Sequence, residues 1–210
     1  MEPAQQQINR LKTEYMHFKN FIFIAILLTS LVMTAQQDSQ LPYAEIPEAP
    51  DAYTPGGLVS RMIDGLGFRY YWATEGLRPE DLKYKASPEG RTSEETADHI
   101  LGLSYVVLNS ALSQVNEPRE EEPMTFDQKR ALTLKNLEQA SRIFRLAEDL
   151  GEYPVVFKGK ESNVEYPFWN QVNGPISDAL WHCGQLVLLR RASGNPFNSK
   201  VSVFMGKLRE

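Results

Sequence analysis

Apolar positions three and four apart recur in four long stretches of the chain. In the first, Val59, Met62, Ile63, Leu66, Tyr70, Ala73 and Leu77 predict an amphipathic helix over about 58–77, closed by Gly76 and Pro79. The second helix opens at Thr92, where a Glu three residues on completes a capping box, and runs to about Gln114. Its apolar residues, from Ile100 and Leu101 through Leu103 and Tyr105 to Leu112, cover most of the circumference, so burial on more than one side is expected. A third helix is predicted over about Thr125–Leu150, with Gly151 as its stop. The fourth starts near Asn173-Gly174-Pro175, where Pro suits the first turn, and has room for an earlier turn at Pro167-Phe168-Trp169. It stops at Ser193-Gly194-Asn195-Pro196.

Four helices of about 20 residues, each roughly 30 Å long, predict an all-α fold, an up-and-down four-helix bundle over 58–196. A short irregular or hairpin insertion is expected within 152–174, where Val155-Val156-Phe157 and Val164-Glu165-Tyr166 flank Lys158-Gly159-Lys160. The tail 197–210 alternates at Val201-Ser202-Val203-Phe204-Met205 and is expected to be strapped against the bundle. Before the first helix, Pro42, Pro47, Pro50 and Pro55 exclude a helix from 36–57 and predict an extended leader on the surface.

Residues 1–35 read as an N-terminal extension and a signal peptide. Phe21–Met33 is an uncharged apolar run of 13 residues behind Lys19, the length of a secretory core segment and short of the roughly 20 residues a membrane span needs. Met16-His17-Phe18-Lys19 is a natural start for it, and cleavage is expected after Ala35. The protein is therefore expected to be exported, periplasmic or secreted. Its only membrane contact would be through this segment, and an uncleaved anchor is the alternative. No Cys stands beside the cleavage site, so lipidation is not expected.

Of the 210 residues, 42% are hydrophobic and 23% charged, which fits an ordinary globular domain and excludes disorder. A net charge of −5, which becomes −6 without residues 1–35, and the lack of a basic stripe exclude a nucleic-acid surface. The single cysteine, Cys183, excludes an internal disulfide and is expected to be buried and inert. Glu120-Glu121-Glu122 reads as a solvated linker.

Chemistry is concentrated in the fourth helix. Asp178 and His182 are four apart and stack on one face, which Gln185, Leu186 and Leu189 continue, so the stripe is expected to point inward. His99 is the other histidine left after export, on a stripe with Leu103, Val106 and Ser110. If the second and fourth helices are neighbours, His99, Asp178 and His182 can converge as two imidazoles and a carboxylate. Spacing leaves three readings open: a buried Asp178–His182 hydrogen bond, a metal site, or incidental surface residues. Glu95 is one turn before His99 and can reach such a site, although capping is its more natural role. Trp72, Trp169, Trp181, Tyr70 and Tyr71 are expected in the core or lining a pocket.

Ile176-Ser177-Asp178-Ala179-Leu180-Trp181-His182-Cys183-Gly184-Gln185-Leu186, with Leu189-Arg190-Arg191 and Ser193-Gly194-Asn195-Pro196 after it, resembles the last helix of the DinB-like superfamily. There a His is followed by Gly-Gln, then by Arg residues and a Gly. Arg91-Thr92-Ser93-Glu94-Glu95-Thr96-Ala97-Asp98-His99-Ile100 is similar to the start of that family's second helix, and the likeness covers about 58–196. The resemblance implies a four-helix bundle with a divalent metal, usually held by three histidines. His99 and His182 match two of these ligands, and Asp178 stands where the third histidine is usual. Two histidines and a carboxylate suit zinc, nickel, iron or manganese. The implied function is a metal-dependent, hydrolase-type enzyme in which the metal activates water for attack on an unknown small-molecule substrate. Gln185 would orient the substrate or the groups that surround the ligands, and a homodimer is allowed. The alternatives are a thiol-dependent transferase, as among similar proteins, and a non-catalytic envelope module with a metal-free Asp-His pair.

Overall fold

Residues 41–119 and 123–210 of a computed structural model are described here, and Leu41–Glu210 forms one compact unit. The expected signal peptide and the acidic run lie outside the described residues. The first helix, α1 (Pro55–Thr74), begins earlier than its periodicity suggests. Pro55 occupies its first turn, and the Thr54 side chain accepts a hydrogen bond from the Gly57 N–H at 3.0 Å. A short helix not foreseen from sequence, α2 (Pro79–Lys83), follows. The helix α3 (Ser93–Ala111) opens on the expected Thr92–Glu95 capping box, and α4 (Phe126–Phe144) opens on a second one, Thr125–Gln128. The chain leaves α4 at Phe144 rather than near Leu150 and makes a 3₁₀ turn at Leu150–Glu152. The expected hairpin is present as antiparallel strands β1 (Val155–Phe157) and β2 (Val164–Tyr166), with Val155 opposite Tyr166.

The last long helix is built in three parts: α5 (Trp169–Gln171), a wide π turn (Val172–Ile176) and α6 (Ser177–Ala192). Pro175 has no N–H to continue the α-helical ladder. The Ser177 hydroxyl instead donates to the Val172 carbonyl at 2.6 Å, and the bulge resets the phase one residue before Asp178. In the tail, β3 (Val201–Ser202) pairs with β4 (Lys207–Leu208). Val201 and Ser202 are buried as a strap should be, whereas Val203, Phe204 and Met205 project into solvent.

Each of the four long helices packs on two others: α4 lies against α1 and α3, and α6 lies against the same two. Side-chain bonds give their directions. Arg130 at the start of α4 bonds Thr74 at the end of α1, so these two are antiparallel. Lys129 pairs with Asp98 and Asn136 with Ser104, start to start and middle to middle, so α3 and α4 are parallel. Arg190 at the end of α6 donates to the Trp72 and Ala73 carbonyls at the end of α1, making that pair parallel too. The order is up, down, down, up, which corrects the alternating arrangement expected from sequence. The 14-residue link between Ala111 and Phe126 permits it, since at up to about 3.3 Å per residue it can return along the length of a helix. Asn116 in that link pairs with β1 through its N–H to the Val156 carbonyl at 2.7 Å.

The core is drawn from all four helices, with Ile63, Leu66, Tyr70, Ile100, Val107, Leu134, Phe144 and Leu186 fully enclosed. The leader contributes to it as well, which corrects the surface reading. Tyr43 is 4% exposed, and its ring lies where a Cβ on Gly67 would come within 2.3 Å of it. The Tyr43 hydroxyl donates to Asp64, which also accepts from Ser141. Burial raises the Asp64 carboxyl above its ordinary range, and the two hydroxyls only partly oppose this. Among the described residues no helix is long and apolar enough to cross a membrane.

Candidate metal centre

His99 lies in the second turn of α3, where the capping box fixes the helix start and the buried neighbours Thr96, Ala97 and Ile100 fix its rotation. Across the α3–α6 seam stand Asp178 and His182, one turn apart. The three converge: their donor atoms all lie within 4.8 Å of one another. Asp178 bridges the two imidazoles, with Oδ2 at 3.2 Å from His99 Nε2 and Oδ1 at 3.3 Å from His182 Nε2. The two rings stand edge to face with centroids 4.6 Å apart. Asp178 is not on a fully inward stripe as expected, since its side chain keeps 39% of its exposure and His99 keeps 35%. The site is a lined recess at the helix seam, open to water.

Gln185 completes the arrangement from the next turn. Its Oε1 lies 2.7 Å from His182 Nδ1. An amide oxygen only accepts, so this contact holds the proton on Nδ1 and leaves the Nε2 lone pair directed at Asp178. The 3.3 Å contact between this nitrogen and Asp178 Oδ1 is a place where a cation could be shared. Ligand atoms at about 2.0–2.2 Å from one tetrahedral ion stand roughly 3.3–3.6 Å apart; the two Asp178 contacts, made by different oxygens, are 3.2 and 3.3 Å, and the three donor atoms lie within 4.8 Å of one another.

A groove of about 400 Å³ runs from His182 and Gln185 along Leu188 and Leu189 to Gly90 and Arg91. The Arg91 guanidinium makes no hydrogen bond among the described residues. Arg91 and Leu188 were not picked out from sequence, because a loop cation and an exposed leucine carry no periodic signal. Glu95 is held as a cap, accepting from the Thr92 N–H at 2.7 Å, and does not join the metal-ligating cluster. That backbone bond is the main reason its carboxyl lies below the ordinary range. One tryptophan departs from its expected place. Trp181 is 72% exposed, although it adjoins His182 in sequence. Trp169 is 76% exposed and lines a separate cavity with Tyr53, Leu58 and Phe168, near the starts of α1 and α5. Cys183 is buried as expected, and burial pushes its thiol up to about 12.

Compared with protein-family models, with curated proteins and with solved structures, the chain matches none.

Proposed function

We propose that this chain is an exported, DinB-like four-helix bundle that binds a divalent metal and uses it in hydrolase-type chemistry. The observation that carries the reading is the meeting of His99, Asp178 and His182, with Gln185 holding His182 in the tautomer a metal needs. The donor set would suit zinc, nickel, iron or manganese. Such an ion, when bound, supplies a Lewis acid that lowers the pKa of coordinated water toward neutrality. The chain's own residues do the rest. His99 and His182 offer neutral nitrogen donors, and Asp178 offers the single negative charge, so a divalent ion there leaves a net positive site. Arg91 at the rim adds a second attraction for an anionic group, and Leu188 with Leu189 forms an apolar wall. The substrate class this favours is a small molecule with an anionic group beside an apolar portion.

The competing reading is a non-catalytic envelope module. Its support is that Asp178 already lies beside both imidazoles, at 3.2 and 3.3 Å, with no metal present. Metal analysis of untagged protein after reconstitution, followed by a hydrolase substrate screen, separates the two. Bound metal near one equivalent and metal-dependent turnover are expected. Absence of bound metal would leave the envelope module.

A further inference from the structure

Val203, Phe204 and Met205 are three consecutive apolar side chains at the tip of the β3–β4 hairpin, and Phe204 is 95% exposed. The tip is held out rigidly. Gly206 turns the chain at φ +71°, its N–H bonds the Ser202 carbonyl at 2.8 Å, and its own carbonyl accepts from the Ile46 N–H at 2.8 Å. A Cβ at Gly206 would come within 2.9 Å of Ile46, so the close seating on the leader depends on glycine.

The hairpin that carries this tip also carries cations. Arg209 bonds Lys200 through its N–H at 2.8 Å, which sets those two side chains across from each other, and Lys207 is next to the turn. Among the described residues none of the three charged groups has a hydrogen-bond or ion-pair partner. Beside the tip, Val203 lines a groove of about 380 Å³ with Leu180, Val187 and Phe197, between Arg69 and Arg191. Glu210 follows Arg209, and Glu45 precedes Ile46, which bonds Gly206; two carboxylates offset only part of this charge. A cationic apolar corner therefore stands on a protein whose net charge is −5.

We propose that the β3–β4 hairpin is a docking tip for an anionic phospholipid bilayer. An apolar point ringed by Lys and Arg matches the order of a membrane interface, with acyl boundary beneath and phosphates around it. The groove, with Arg69 and Arg191 in its lining, would take one headgroup phosphate and the apolar stem behind it. A protein partner fits less well, because a three-residue tip offers far less than the roughly 800 Å² per side of a stable interface. This contact is additional to the N-terminal segment and independent of the metal centre.

The test uses residues 36–210, which retain the whole compact unit and its core, in sedimentation with vesicles of equimolar phosphatidylcholine and phosphatidylglycerol. Binding roughly tenfold stronger than to phosphatidylcholine alone is expected, weakening as salt is raised. Phe204→Ser with Met205→Ser, and separately Lys200→Gln with Lys207→Gln and Arg209→Gln, should each reduce it by about tenfold. Both variants should keep the wild-type unfolding midpoint, since these side chains lie in solvent. Equal binding to both vesicle types, or undiminished binding by either variant, overturns the proposal. So does a wild-type dimer that Phe204→Ser converts to monomer, which would assign the tip to a second copy.

Discussion

Two aspartates meet the last helix of this protein, and they are held in opposite ways. Asp81 on α2 is fully buried and accepts five hydrogen bonds: three from Arg78, one from the Ser193 hydroxyl and one from Asn195. The Arg78 guanidinium holds its carboxyl well below the ordinary carboxylate range. Asp178 is more than a third exposed and faces only two imidazoles. A carboxylate has about four lone-pair positions, so Asp81 is saturated and Asp178 is open. The saturated one ties α2 to the end of α6 and has no capacity for a ligand. The open one lies beside two imidazoles. The contrast separates an aspartate that holds the fold from one that, under the proposed function, would coordinate the metal.

The largest expected effect is at the saturated residue. Asp81→Ala should lower stability by about 3–5 kcal/mol, because it strands several donors at once. Urea unfolding in metal-free buffer measures it, and a loss as small as that of Asp178→Asn would erase the distinction. The same variant has a pH signature. A carboxylate whose folded pKa is depressed contributes stability above its unfolded value near 3.8, and that stability is lost as pH falls through the folded pKa. The acid limb of the stability curve should therefore flatten in Asp81→Ala. Asp64 has the opposite sign: its raised folded pKa favours folding below the unfolded value, and that contribution is lost as pH rises through the folded one.

A smaller effect sharpens the open side of the comparison. Gln185→Leu removes the acceptor at His182 Nδ1 and should weaken metal affinity by about 10–100-fold, with little change in metal-free stability. Calorimetric titration checks this. Smallest of all, Asp178→Asn should change metal-free stability by only about 1 kcal/mol, since the site is half open to water.

How far these roles were legible in the sequence differs between the two aspartates. Asp178 and His182 declared themselves through a four-residue spacing, and the Thr92–Glu95 box placed His99 at a fixed height on its helix. Gln185 followed from the same stripe. Asp81 gave no signal, because its partners Ser193 and Asn195 are more than a hundred residues away and meet it only after the helices pack. The directions of α3 and α4 were hidden for the same reason, being set by pairs such as Lys129–Asp98. Tyr43 was misread because proline density forecasts an extended backbone and says nothing of a side chain between the prolines. Trp181 was misplaced because aromatic residues are usually enclosed, and it is not. The π turn was missed because Pro175 was read as the first turn of the last helix, whereas it lies inside a helical segment that starts at Trp169.

The most direct test of the metal centre is thermal unfolding of the wild type, Asp178→Asn and Asp178→His during titration with zinc and with nickel. The wild type should gain about 2.7 kcal/mol at a hundredfold excess over its dissociation constant. Asp178→Asn should lose most of that gain, because a neutral amide replaces the only anionic ligand, and Asp178→His should keep it. A wild type with no metal-dependent shift, or an Asp178→Asn variant that shifts equally, would contradict the metal centre and leave Asp178 a plain hydrogen-bond acceptor between two histidines.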